Sequence, residues 1–119
     1  MDFDDSALAG LQDALPDAEF RELLTDYLES TAARLAQAQA LGSAGNWKDL
    51  AFEAHTLVST SGGYGLARAS ALARLLQQAC KAGHADEASA LVTELVASTR
   101  RGCEALRSRF LGERRSVAA

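Results

Sequence analysis

A chain of 119 residues has room for one hydrophobic core and one domain. Apolar residues make up 48%, which places it among globular rather than disordered chains, and a formal charge of −4 argues against a nucleic-acid binder, which would present a basic face. No run approaches the ~18 consecutive apolar residues of a membrane span, and no basic-then-apolar leader opens the chain. Aromatic residues amount to 6% and there is one proline, so alanine and leucine supply the bulk and helix packed on helix is expected. Strand signals are poor: there is no alternating Val/Ile/Thr run and no Asn-Gly or Asp-Gly turn.

Five helices are predicted. The first covers about residues 4–14 and stops before Pro16, whose fixed φ and missing N–H suit the start of the next. The second spans about residues 17–41, with Phe20, Leu23, Leu24, Tyr27, Leu28, Thr31, Leu35 and Ala38 on one side. Gly42-Ser43-Ala44-Gly45 breaks it. Asn46 then reads as the N-cap of a third helix, with Asp49 in a capping-box position. Trp47, Leu50, Ala54, Leu57 and Ser61 form its apolar stripe, and Gly62-Gly63-Tyr64-Gly65 ends it. A fourth helix over about 66–82 buries Ala69, Leu72, Leu76 and Ala79 and stops at Gly83. Asp86 and Glu87 open a fifth, to about 111, with Leu91, Leu95, Cys103, Leu106 and Phe110 inward. The sum is an all-α fold: an antiparallel up-down-up-down four-helix bundle over 16–111, capped at one end by a short extra N-terminal helix within 1–15 and followed by a flexible tail at 112–119.

Charge is distributed unevenly. Residues 1–30 carry nine acids (Asp2, Asp4, Asp5, Asp13, Asp17, Glu19, Glu22, Asp26, Glu29) against Arg21, whereas six arginines stand in 100–119 against Glu104 and Glu113. Acids near early helix starts and bases near the last helix end complement helix dipoles, and that is the reading adopted. Cys80 and Cys103 fall on apolar faces, where reduced packing residues are expected. With two histidines and no Cys-x-x-Cys, a metal site has no support.

His55 is the residue with chemical promise. It lies about 100° round from Ala54, beside the apolar stripe of the third helix rather than within it. Ala51, Ser59 and Gly62 on neighbouring turns are small enough to leave the ring open to another protein. A neutral imidazole held open on a rigid helix is a candidate nucleophile. On the fourth helix, Arg74, Gln77, Gln78 and Lys81 share an exposed face that would flank His55 if the two helices pack antiparallel. His84, after Gly83, reads as a turn residue.

The motif Gly45-Asn46-Trp47, then Ala54-His55-Thr56-Leu57-Val58-Ser59-Thr60, with Gly65 ten residues after the histidine, resembles the histidine phosphotransfer (HPt) domains of bacterial phosphorelays. The likeness extends over about residues 15–110. It implies that His55 accepts a phosphoryl group, that Gln77 stands near the imidazole, and that Lys81 offers a basic group one turn further. Where members usually have lysine and glycine three and four residues after the histidine, this chain has Val58 and Ser59. The departure removes one cation from the site; the Ser59 hydroxyl could donate a hydrogen bond there and keeps access open.

The resemblance further implies a carrier without kinase activity of its own, taking a phosphoryl group from a receiver-domain aspartate and passing it to another. Mg²⁺ would come with the receiver, so the chain needs no cofactor or metal of its own. Docking is expected through Phe52, Val58, Ala51, Gly62, Arg74 and Gln78. The expected partners are response-regulator receiver domains and a hybrid sensor histidine kinase, with no nucleic acid, no membrane contact by this domain and a monomeric state. The expected location is the bacterial cytoplasm, either freestanding or as part of a membrane-anchored sensor kinase. An alternative, prompted by Val58, is a regulatory module of the same fold that docks a receiver or kinase without carrying phosphate. A kinase dimerisation domain fits less well, because Thr56 follows the histidine where an acid is usual and no ATP-binding domain is attached.

Overall fold

The computed structural model describes residues 6–118, with the side chains of Ala7 and of 113–118 outside the description. Its five helices are α1 (Ser6–Ala14), α2 (Asp17–Ser43), α3 (Trp47–Gly63), α4 (Ala67–Ala82) and α5 (Ala85–Ala118), and there is no strand among the described residues. The expected all-helical bundle with a short additional N-terminal helix is what forms. α2 packs on α3, α3 on α4, α4 on α5 and α5 back on α2, which closes the ring, while α1 rests on α2. No helix among the described residues is long and apolar enough to cross a membrane.

The turns follow from local chemistry. Pro16 (φ −55°, ψ 146°) stands directly before α2, and Asp17 and Glu19 in the first turn complement its dipole. Asn46 caps α3: its side-chain oxygen accepts the Asp49 N–H at 3.3 Å, while its amide nitrogen donates to the Asp49 carboxylate at 2.8 Å. The Asp49 carboxylate therefore reaches the Asn46 side chain rather than closing the backbone half of a capping box. Replacing Asn46 by alanine should cost about 1 kcal/mol of unfolding free energy, read as a lower denaturant midpoint at unchanged m value.

Gly65 (φ 79°) and Gly83 (φ 76°) end α3 and α4. In both, the next residue reaches back: Leu66 N–H donates to the Ser61 carbonyl at 2.9 Å and His84 N–H to the Ala79 carbonyl at 3.0 Å. The left-handed backbone these bonds require is what glycine supplies without steric cost. The conformation accounts for a glycine at 65, ten residues past His55, with no appeal to chemistry.

The interior is built from the expected stripes. Phe20, Leu24 and Leu35 of α2 meet Leu50, Ala54 and Leu57 of α3, Leu72 and Leu76 of α4, and Leu95, Leu106 and Phe110 of α5. Phe20 and Phe110 pack edge to face at 5.6 Å, fastening the start of α2 to the far part of α5. Leu8 of α1 is fully buried in the same core. Four residues expected inward sit further out. Leu23 is 38% exposed, because it lies about 100° round from Leu24, and Trp47, Leu91 and Cys103 are half-buried. α2 also continues to Ser43, past the expected stop at 41, and α5 remains helical through Ala118, into the segment expected to be a flexible tail. Ala119 lies outside the described residues.

Candidate functional site

His55 stands exposed in the middle of α3, with α4 running antiparallel beside it. Two interactions set the register of this helix pair. Ser70 of α4 donates its hydroxyl to the Val58 carbonyl at 2.8 Å, and seven residues later Gln77 brings its side-chain amide to within 3.2 Å of His55 Nδ1. Seven residues are two helical turns, so Ser70 and Gln77 project from one face of α4 and hold α3 at two levels. Gly62 lies beside this contact, and a Cβ there would meet the Ser70 hydroxyl at an ordinary van der Waals distance of 3.6 Å, so the register does not depend on a glycine at 62.

The amide bond to Nδ1 decides which ring nitrogen is free. With the Gln77 Nε2–H₂ end facing Nδ1, the neutral ring holds its proton on Nε2. A half-turn of the amide presents Oε1 instead, which accepts a proton on Nδ1 and leaves the Nε2 lone pair open to solvent. The two forms differ in the position of one proton, and the second is the nucleophilic one.

A groove of about 580 Å³ opens beside the imidazole. Its α3 wall is Trp47, Lys48, Ala51, Phe52 and His55, and its α4 wall is Gln77, Cys80 and Lys81. Phe52 is 73% exposed and, lining the groove, presents an apolar face to solvent. No carboxylate lines the groove, and among the described residues no group of three His, Cys, Asp or Glu could hold a metal ion. Mg²⁺ prefers oxygen ligands and carboxylates above all, so these residues do not fit one.

His55, Gln77, Lys81, Phe52 and Ala51 thus come together, while other residues singled out in the sequence do not line the groove. Ala51 is buried and forms its floor, so it offers little surface of its own to a partner. Val58 is half-buried against the core, and Ser59 and Gly62 are exposed on later turns of α3. Arg74 and Gln78 are exposed outside the groove, since Gln78 lies about 100° round α4 from Gln77 and Arg74 about two turns from Lys81. His84 pairs with Glu87 at 3.5 Å on the surface. Trp47, Lys48 and Cys80 are lining residues that sequence reasoning did not assign to the site. Lys48 had a signal, standing seven residues before His55 and therefore on nearly the same face.

Both cysteines are free; Cys80 is buried and Cys103 half-buried. Burial raises both thiols above their ordinary range, Cys103 to about 11, which keeps them protonated and unreactive at neutral pH.

Known proteins share this architecture. The Hpt domain family model matches residues 22–109. Among solved structures, the crystal structure of histidine-containing phosphotransfer protein B (HptB) from Pseudomonas aeruginosa PAO1 is similar, with a TM-score of 0.79, 25% identity, and 97% of this chain and 96% of that one covered. No curated protein sequence matches the chain. The family match spans well over half of the sequence and includes both His55 and Gln77, and the chain therefore belongs to the Hpt domain family, with a role in histidine phosphotransfer.

Proposed function

We propose that His55 is the phosphoryl carrier, receiving the group from an aspartyl phosphate on a receiver domain and surrendering it to a second receiver aspartate. The observation that carries this reading is the Gln77 amide 3.2 Å from Nδ1 of an exposed histidine at the centre of a rigid helix. A histidine that served only as docking surface would have no need of a partner fixing its tautomer, so the pair favours a carrier over a module that docks without exchange.

In the reactive form, Gln77 Oε1 accepts the Nδ1 proton and the Nε2 lone pair attacks phosphorus. The new N–P bond forms as the bond from phosphorus to the aspartyl oxygen breaks, and the carboxylate leaves with the bonding pair. The ring then bears a positive charge, which strengthens the Nδ1–H to Oε1 hydrogen bond as the transition state is approached. Phosphoryl transfer has a loose, in-line transition state, so positioning and charge stabilisation are most of what a protein must supply. Lys81 adds positive charge on the α4 side and Phe52 an apolar contact. Mg²⁺ belongs to the receiver's acidic pocket, and the chain acts as a carrier rather than an enzyme. The proposed partners are receiver domains and a hybrid sensor kinase, the domain working as a monomer in the bacterial cytoplasm.

Substituting Gln77 by leucine tests the reading. A hydrogen bond to a group gaining charge is worth about 1.5 kcal/mol, so transfer from a phosphorylated receiver should slow about tenfold. Stability should change by less than about 1 kcal/mol, because Gln77 is only partly buried. Nitrogen-15 NMR should report a shift in the His55 tautomer ratio. An unchanged rate and ratio would remove Gln77 from the mechanism.

A further inference from the structure

The chain contains two lysines among its twelve basic residues, Lys48 and Lys81, and both line the groove beside His55. Neither takes part in an ion pair or a side-chain hydrogen bond, whereas Arg21, Arg34, Arg68 and Arg107 are each paired with a carboxylate of the chain itself. With no carboxylate among the lining residues, the groove is locally cationic on a protein whose formal charge is −4.

The two lysines differ in what local structure asks of them. Lys81 lies in the last turn of α4, where the helix dipole favours a cation whatever its function. Lys48 is the second residue of α3, in the first turn, where the dipole disfavours one. Helix stability gives no reason for lysine at 48; a negatively charged visitor does. Between the two charges the groove offers the apolar surfaces of Trp47 and Phe52.

Resting on the phosphocarrier reading, we infer that this groove selects the incoming receiver by taking an apolar side chain flanked by carboxylates, which Lys48 and Lys81 engage. Lys48 lies about 10 Å along the helix axis from His55, too far to act on the phosphoryl group, so it is a residue of partner choice. The positive charge that Val58 does not provide after the histidine is placed instead on the other side of it, where it meets the partner's surface.

Trp47 is the chain's sole tryptophan and lines the groove, so its emission reports docking directly, without any phosphoryl exchange. Purified receiver domains are titrated against the wild-type chain and against Lys48→Glu, Lys81→Glu and the double variant, at low and high salt. Reversal of one exposed charge should weaken binding about fivefold, and of both about twentyfold, at low salt. The differences should shrink at high salt as the charges are screened. In the transfer assay Lys48→Glu should raise KM and leave kcat unchanged, whereas Lys81→Glu, which also removes charge from beside the phosphoryl group, should lower kcat as well. Direct labelling of His55 by phosphoramidate, in which Nε2 bonds to phosphorus and ammonia departs with the electrons of the broken P–N bond, should proceed at the wild-type rate in Lys48→Glu. Wild-type affinity of the double variant at low salt would overturn the inference, as would loss of phosphoramidate labelling in Lys48→Glu in parallel with binding. If receivers dock with this charge dependence and none exchanges phosphate, the carrier reading fails while the docking groove stands.

Discussion

Changing His55 to glutamine should abolish phosphoryl labelling and leave the fold untouched. Glutamine has no ring nitrogen able to form the N–P bond, so no residual slow transfer is expected through this position. The side chain is exposed and contributes nothing to the core, so unfolding free energy should stay within about 0.5 kcal/mol of wild type. Circular dichroism and a denaturant titration would establish that the inactive variant is folded. Receiver binding, read from Trp47, should survive as well, since the groove's apolar walls and both lysines remain. A variant that still acquires a label would place the acceptor elsewhere.

Two residues further along the same helix, the expectation reverses. Leu57 is fully buried, and truncation to alanine should cost about 2–5 kcal/mol through lost apolar burial and the cavity left behind. For a domain whose total stability is on the order of 5–15 kcal/mol, that is a large part of the margin. The denaturant midpoint should fall sharply, while the folded fraction should still accept phosphate at His55, because the Ser70 and Gln77 bonds that hold α3 to α4 lie on another face. A loss under about 1 kcal/mol would mean that α3 does not present Leu57 to the core. Together the two substitutions separate the helix's packing face from its reacting face.

Much of this was legible in the chain because helical periodicity and glycine placement are local. The stripe Leu50, Ala54, Leu57, Ser61 faces inward as its spacing demands, and Gly65 and Gly83 stand at turns that need a left-handed residue. The approach of Gln77 to His55 could be anticipated only by supposing that α3 and α4 run antiparallel; its register depends on Ser70 bonding to a backbone carbonyl, which no pattern reveals. The four polar residues of α4 looked like one face, yet they spread over about 100° of the helix, so only Gln77 and Lys81 turn towards the groove. Ala51 looked open because it is small, and is buried because its face of α3 meets α4. The place of Lys48 in the site does not follow from spacing alone, because it stands two turns before His55 and the groove extends to the start of α3.

The proposed carrier role requires one bond, from phosphorus to His55 Nε2. The most direct measurement incubates the chain with a phosphorylated receiver domain and Mg²⁺ and maps the label to an atom by phosphorus-31 and nitrogen-15 NMR. The expected result is a single phosphohistidine at 55, substituted on Nε2, labile in acid and stable in base. A label on any other residue, or on Nδ1 of His55, would contradict it.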